Sequence, residues 1–225
     1  MIITIHQPEF LSYLGFFDKI SKADGFVIAD SFQVKKNYYD NRNRIRINSP
    51  TGWQWITIPI EKDNHKSFRE VKVGKPYTWH TKILNAIEQN YHRSPYFEQY
   101  FPRIKEIICK KYNFLFDYNF DLLCQMLIWF DIQTPLMGFT SLLNLESENG
   151  SDKCLEICQK VGADTYLSGV SGKDYLQVDL FEKNNIAVVF HEFIHPSYKQ
   201  QYEPFIPGMS ALDYLFNCGG STCQK

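Results

Sequence analysis

The chain has 225 residues, enough to bury a sizeable core, and 44% of them are hydrophobic and 16% aromatic. A net charge of −1 and an isoelectric point near 6.6 give no electrostatic basis for binding nucleic acid or an anionic membrane. No run of about 18 apolar residues is present, so we expect no membrane insertion. The N-terminal residues also lack a basic-then-apolar leader, and we expect a cytoplasmic protein whose six cysteines are reduced.

The first thirty residues predict a strand, a helix and a second strand. Ile2 to Ile5 is apolar, Tyr13 to Ala23 has helical periodicity, and Phe26 to Ala29 is a short apolar run. This βαβ order predicts parallel strands that are joined by a right-handed crossover.

The middle of the chain predicts a hairpin followed by helices. Trp53 to Ile60 alternates like a strand, and we expect residues 70–73 to pair with it. The pattern becomes helical from Thr78 to Asp131, where Pro95 and Pro102 are each expected near a helix start.

The last third of the chain alternates between strands and helices. We predict strands at 134–139, 164–168 and 186–193, and helices at 151–161 and 175–184. The whole pattern predicts an α/β fold of three layers, with a mainly parallel sheet, an inserted β-hairpin and a helical insertion at about 78–131. No linker is long enough to divide the chain, so we expect residues 1–225 to form one domain.

The segment His191 to His195 spells the H-E-x-x-H signature of zinc metalloproteases. The signature brings two histidines to one zinc ion only when it lies on a helix. The residues before it, Ile186 to Phe190, are β-branched or aromatic, and Pro196 disfavours helical geometry at His195. On a strand, residues four apart are separated by about 13 Å. We therefore reject a zinc site and expect no metal.

Polar residues follow three of the predicted strands. His6-Gln7-Pro8 follows the first, Ser168-Gly169 follows the strand at 164–168, and His195 to Tyr198 follows the last. Because ligands bind beyond the carboxyl ends of parallel strands, we expect a site at this edge of the sheet. A cluster of hydrogen-bond donors, Asp40 to Arg44, follows the second strand. Each of these residues taken singly is also compatible with a turn or a solvated charge.

These segments resemble the WbqC-like protein family, and the similarity runs through nearly the whole chain. The motifs that carry it are Ile5-His6-Gln7-Pro8, Leu14-Gly15-Phe16-Phe17-Asp18-Lys19-Ile20, Asp30-x-x-Gln33, Asn41-Arg42-Asn43-Arg44-Ile45, Gly52-Trp53, Trp79-His80-x-Lys82, Tyr166-Leu167-Ser168-Gly169, Gly172-x-x-Tyr175, His195-Pro196-x-Tyr198-x-Gln200 and Ser210-x-x-Asp213. His195 matches the family pattern and His191 does not. The resemblance implies an enzyme of bacterial surface-polysaccharide biosynthesis, of the O-antigen type, that transfers an acyl or aminoacyl group to the amine of a nucleotide-linked sugar.

General chemistry then suggests a role for each polar residue. His6 is the candidate base because imidazole titrates nearest to neutral pH, Asp30 is placed to orient it, and Asn41 is a candidate donor to the oxyanion. Arginines suit a diphosphate, and tryptophans suit a nucleobase or sugar ring. The candidate substrate-binding residues are Gln7, Gln33, Arg42, Arg44, Trp53, Trp79, Ser168, Gly169, His195 and Tyr198.

No resident cofactor is implied. The expected co-substrate is an acyl thioester of coenzyme A or of a carrier protein, and the expected partners are a nucleotide-linked sugar and an acyl carrier protein. Two alternatives stay open. Nucleotidyl transfer would place His6 and the loop at Ser168 to Gly172 around a triphosphate, but Phe16 stands where such enzymes carry a second histidine. A non-catalytic partner of a polysaccharide assembly enzyme would need fewer polar motifs than this chain has.

Overall fold

The computed structural model describes residues 1–34, 37–61 and 67–220. The strands in this part are β1 (Ile2–His6), β2 (Gly25–Ile28), β3 (Arg42–Arg46), β4 (Trp53–Thr57), β5 (Leu136–Phe139), β6 (Thr165–Ser168) and β7 (Ala187–Phe190). The helices are α1 (Leu14–Ser21), α2 (Trp79–Tyr91), α3 (Phe97–Cys109), α4 (Leu115–Trp129), α5 (Gly150–Lys160), α6 (Val178–Lys183) and α7 (Ala211–Cys218). No helix in these ranges is both long enough and apolar enough to cross a membrane.

The residues fall into two compact units. The first, which we call the sheet unit, consists of Met1–Gln7, Gly15–Phe32 and Ile132–Ile194. The second, the hairpin unit, consists of Pro8–Leu14, Gln33–Asp131 and His195–Lys225. The expectation of one domain stays a prediction.

The sheet unit is built on five parallel strands in the order β5-β2-β1-β6-β7. The predicted parallel sheet is therefore confirmed. In its registers Ile5 lies beside Val27, and Ser168 lies beside Phe190. Because all the strands run the same way, the residues after β1, β2, β6 and β7 emerge at one edge, the carboxyl edge.

Helices cover both faces of this sheet. On one face, Ile5 and Val27 pack in a buried core with Cys158 of α5 and Phe181 of α6. On the other face, Phe16 of α1 contacts Phe26 edge to face, with ring centroids 6.3 Å apart. Alternate residues of each strand point to opposite faces, so β1 and β2 can fill both interfaces. The three layers predicted from the sequence are present within the sheet unit.

The hairpin unit contains an antiparallel pair, β3 and β4, in which Arg44 lies opposite Trp55. The predicted pairing of residues 53–60 with 70–73 is confirmed only at the end of that run, where Ile60 forms an isolated bridge with Val73. β4 itself pairs with β3 instead, and Glu70 belongs to a 3-10 helix. The true partner was hidden by its composition, because β3 is rich in arginine and shows few apolar residues.

The predicted helical segment at 78–131 consists of α2, α3 and α4. Pro102 is not near a helix start as expected but lies inside α3. A proline there removes one backbone hydrogen bond. The helix continues past it because one face, with Phe97, Phe101 and Ile104, is buried.

Candidate functional site

The H-E-x-x-H segment is not helical. β7 ends at Phe190, earlier than the predicted 193, and residues 191–200 contain no helix or strand. The imidazole of His191 turns instead towards α1, where its Nε2 atom lies 2.6 Å from Oδ2 of Asp18. Within the described ranges no group of three or more His, Cys, Asp or Glu side chains could hold a metal ion.

His191 and Asp18 form a hydrogen-bonded pair that sequence reasoning missed. The Asp18 carboxylate also accepts from Nζ of Lys22 at 2.7 Å. Because a carboxylate only accepts hydrogen bonds, Nε2 of the neutral imidazole carries the proton and Nδ1 keeps its lone pair. Nδ1 has no hydrogen-bond partner among the described residues. Burial lowers the pKa of His191, and the bond to Asp18 opposes that shift.

His6, at the end of β1, is half-buried and contacts the Phe16 ring edge to face. Its Nδ1 atom lies 2.9 Å from the backbone oxygen of Gln7, so Nδ1 donates and carries the proton. Burial, together with the charge of Lys19, lowers the pKa of His6 to about 3. The premise that made His6 the candidate base, a pKa near neutrality, therefore does not hold, because the imidazole is a weak base here.

Lys19 of α1 is only 3% exposed and lies at the same edge. Its Nζ atom is 3.9 Å from the point where a Cβ on Gly169 would be. Its charge contributes to the lowered pKa of both His6 and His191. We call His6, Asp18, Lys19, Gly169 and His191 the edge cluster.

Ser168 links the strands that carry the edge cluster. Its backbone oxygen accepts from the backbone N–H of His191 at 2.8 Å, which extends the pairing of β6 and β7. Its hydroxyl donates to the backbone oxygen of Gly169 at 3.2 Å. Ser168 is buried and positions the loop, and a contact with substrate stays a prediction.

Asp30, after β2, is fully buried. Its Oδ1 atom accepts from the Thr140 hydroxyl at 3.0 Å and from the Ser141 backbone N–H at 2.8 Å, and its Oδ2 accepts from the Ser141 hydroxyl at 2.6 Å. These bonds tie the end of β2 to the 3-10 turn after β5. Gln7 lies at the same edge and donates from Nε2 to the backbone oxygen of Phe32 at 3.4 Å.

Two candidates in the hairpin unit are occupied by internal contacts. Asn41 is buried, and its side chain donates to the backbone oxygen of Ile58 at 2.8 Å and accepts from the Asn37 backbone N–H at 3.2 Å. Trp79 is buried against His80 and Tyr118, with ring centroids 3.9 and 5.3 Å away. These contacts give both residues structural roles in the hairpin unit, and their contact with substrate stays a prediction.

The other candidates in the hairpin unit lie on one face of the hairpin. Arg42, Arg44 and Trp53 share it with Trp55, a residue that the sequence reasoning did not select. We call these four residues the Arg–Trp face. Gln33 forms an isolated backbone bridge with Ser67 in the same unit.

The motifs at 195–213 meet at a buried carboxylate. Asp213 is fully buried and accepts hydrogen bonds from the hydroxyls of Tyr198 (2.7 Å) and Tyr91 (2.8 Å) and from Nε2 of Gln200 (2.7 Å). Burial raises the pKa of Asp213, while the three donors oppose that rise. His195 stacks on the Tyr198 ring with a centroid distance of 6.1 Å. We call Asp213, Tyr91, Tyr198 and Gln200 the Asp213 network.

A single pocket for His6, Asn41, Arg42, Ser168 and His195 stays a prediction, since these residues are divided between the units. Within the sheet unit, His6 and Ser168 emerge at the same edge as predicted. Among the residues that were missed, Asp18 and Lys19 lie in the motif of α1, where the sequence signal was present, whereas His191 was considered only as a zinc ligand.

The fold and the edge cluster define an α/β protein with titratable side chains at the carboxyl edge of a parallel sheet. The chain belongs to the WbqC-like protein family, which matches residues 7–225. It is 29% identical over 225 residues to the uncharacterized protein Rv1507c of Mycobacterium tuberculosis, an alignment that covers 96% of this chain and 94% of that protein. No solved structure matches the chain.

Proposed function

We propose that the protein is an enzyme of bacterial surface-polysaccharide biosynthesis that transfers an acyl group from a thioester to the amine of a nucleotide-linked amino sugar. The family resemblance supports the substrate class. The observation that carries the chemistry is the edge cluster, in which β1, β6, β7 and α1 bring two neutral imidazoles and a lysine to one edge of a parallel sheet.

In this proposal His191 is the base. Its Nδ1 lone pair has no partner in the described residues, and Asp18 holds the ring in the required tautomer and stabilises the imidazolium that forms. Burial and the charge of Lys19 lower the pKa of both histidines, but only His191 has a carboxylate, that of Asp18, which opposes the shift. His191 lies outside the motifs of the family resemblance, so the assignment concerns this chain.

The reaction balances without a cofactor. The sugar amine loses a proton to Nδ1 of His191 as its nitrogen attacks the thioester carbonyl carbon, and the π electron pair moves to oxygen. Lys19 supplies positive charge for this oxyanion. The carbonyl then re-forms and expels a thiolate, which takes the proton back from the imidazolium. The products are an amide and a free thiol.

The test is an end-point assay by mass spectrometry. Purified protein is incubated with pairs of an acyl-coenzyme A and a nucleotide-linked amino sugar, and the product is a sugar nucleotide whose mass has increased by the acyl group. In the productive pair, His191→Gln should lower turnover about 10²–10⁴-fold, the usual contribution of a positioned base. His6→Gln should have a much smaller effect. The matched control is His92→Gln, at the exposed position that caps the C-terminus of α2.

The outcomes separate the reaction from the residue. If no pair yields an acylated sugar with wild-type protein, the proposed function is wrong. If acylation occurs and His6→Gln, but not His191→Gln, abolishes it, the function stands and the base is His6. Circular dichroism melts of each variant show whether a loss of turnover follows from a loss of folded protein.

A further inference from the structure

The Arg–Trp face combines cations with aromatic rings in a fixed register. Arg44 lies directly opposite Trp55, while Arg42 lies opposite Thr57 and Trp53 lies opposite Arg46. The guanidinium carbon of Arg42 lies 4.1 Å from the centroid of the Trp55 ring, and that of Arg44 lies 5.2 Å from the Trp53 ring. Such contacts hold a guanidinium in place without neutralising it.

The two arginines have no acidic partner among the described residues. In the described part of the chain, neither Arg42 nor Arg44 forms an ion pair, and their Nε atoms are buried without a hydrogen-bond partner. Arg44 makes one side-chain hydrogen bond, to the backbone oxygen of Gly208 at 2.8 Å. Both side chains are half-buried, so a ligand on this face can reach their remaining N–H groups.

Arg46, on the same strand, shows what a structural arginine looks like here. It is 1% exposed, and its guanidinium donates to the backbone oxygens of Gly52, Tyr202 and Pro204. Both Nη groups of Arg46 therefore donate within the protein, while its Nε, like those of Arg42 and Arg44, is buried without a partner in the described residues. The contrast at the Nη groups indicates that Arg42 and Arg44 are not simply braces of the hairpin, since a brace would use these donors in the same way.

Aromatic surface extends the face. Tyr39 contacts Trp55 with ring centroids 5.8 Å apart, and Trp53 contacts Trp55 edge to face at 5.6 Å. Both tryptophans are only partly buried. A planar ring can stack on such a surface, while planar guanidinium groups favour bidentate contact with phosphate.

We propose that the Arg–Trp face binds a nucleoside diphosphate, with the base against the tryptophans and the phosphates on Arg42 and Arg44. Residues two apart on a strand are separated by about 7 Å, so both arginines can contact adjacent phosphates of one ligand. Two arginines suit a small anion and not a nucleic acid, which needs an extended basic surface. The choice of a nucleotide rests on the proposed function, whose sugar substrate and coenzyme A donor both contain one.

Binding is measured by tryptophan fluorescence and calorimetry, without turnover. The probes are uridine diphosphate, 3′-phospho-adenosine diphosphate (the nucleotide half of coenzyme A), inorganic diphosphate and uridine. We expect a nucleotide to quench the fluorescence, and Arg42→Gln and Arg44→Gln each to weaken its binding about 10–100-fold. Arg42→Lys should restore only part of the affinity, because an ammonium lacks the bidentate fork. The matched control is Arg93→Gln, an exposed arginine on another surface of the same unit.

The probes distinguish the source of the ligand. Tighter binding of uridine diphosphate favours the sugar substrate, and tighter binding of the adenosine compound favours the thioester donor. The inference is overturned if neither nucleotide binds at millimolar concentration, if inorganic diphosphate binds as tightly as both, or if Arg93→Gln weakens binding as much as Arg42→Gln. Binding can succeed when no acyl transfer is found, so the two proposals fail independently.

Discussion

Removing one hydroxyl from the Asp213 network should destabilise the hairpin unit by a measurable amount. Tyr198→Phe deletes a donor that lies 2.7 Å from the buried Asp213 carboxylate. A hydrogen bond to a charged group contributes about 1.5–3 kcal/mol, and this is the loss we expect in the free energy of unfolding. It is a large part of the roughly 5–15 kcal/mol that stabilises a typical domain.

Tyr91→Phe should lower the free energy of unfolding more than Tyr198→Phe does. The Tyr91 hydroxyl donates to Asp213 at 2.8 Å and also accepts from the backbone N–H of Arg46 at 2.8 Å. The substitution therefore removes one donor to the Asp213 carboxylate and leaves the buried N–H of Arg46 without its acceptor. Together these losses should lower the free energy of unfolding by about 3–5 kcal/mol. The matched control is Tyr96→Phe, because Tyr96 is 39% exposed and its hydroxyl bonds to no described residue.

The assay follows from where the tryptophans lie. Trp53, Trp55, Trp79 and Trp129 are all in the hairpin unit, so intrinsic fluorescence during urea unfolding reports on that unit. Circular dichroism reports on helices of both units. Wild type and Tyr96→Phe should unfold at the highest urea concentration, Tyr198→Phe at a lower one and Tyr91→Phe at the lowest.

The difference in stability between wild type and Tyr198→Phe should depend on pH. The hydroxyl bonds favour the ionised carboxylate, so they stabilise the fold fully only while Asp213 is charged. Burial raises the pKa of Asp213, and the contribution is lost as the pH falls through that raised value. The difference between wild type and Tyr198→Phe should therefore narrow on acidification. A difference that widens in acid, or a Tyr198→Phe midpoint equal to that of Tyr96→Phe, would contradict the reasoning.

Two further predictions concern glycines and His6. Gly52 and Gly162 both have φ of +71°, but a Cβ on Gly52 would clash with Nη1 of Arg46, whereas one on Gly162 meets nothing within 4 Å among the described residues. Gly162→Ala should lower the free energy of unfolding by about 1–2 kcal/mol through backbone strain. Gly52→Ala should lower it by clearly more, because it adds a clash with Arg46. Urea unfolding measures both values, and equal losses would contradict this. Because the pKa of His6 falls from 6.5 to about 3 on folding, the unfolded chain binds the proton first as the pH falls. His6 should thus cost about 1.4 kcal/mol of stability per pH unit as the pH falls from 6.5 to about 3. Circular dichroism should show a shallower acid dependence for His6→Gln; parallel curves would count against the lowered pKa.

The sheet was predictable because its strands are short apolar runs between turn residues. β1 and β2 were identified within one or two residues, and so were β6 and the start of β7. β3 was not, because only Ile45 in it is apolar, and its arginines look like solvated charges. Its pairing with β4 depends on burial of alternate residues such as Asn43, which a local pattern cannot show.

The edge cluster was only partly predictable. The sequence pattern predicted the correct edge for His6 and Ser168. It could not predict the lowered pKa of His6, because that pKa depends on burial in the folded protein. Lys19 follows Phe16 by three residues on α1, so helical spacing alone would have put it on the buried face. The pairing of Asp18 with His191 joins residues 173 positions apart, and no local pattern reveals it.

The chain passes between the two units after residues 7, 14, 32, 131 and 194. Each unit therefore needs segments that the ribosome makes at widely separated times. β1 is made well before the strands beside it are complete, since its Thr4 hydroxyl donates to the backbone oxygen of Leu167, 163 residues later. The Asp213 network closes later still. The sheet unit cannot be completed until its last segment, Ile132–Ile194, has been made, so apolar β1 and β2 stay uncovered in the nascent chain until then. We expect slow folding and a need for protection from aggregation at that stage.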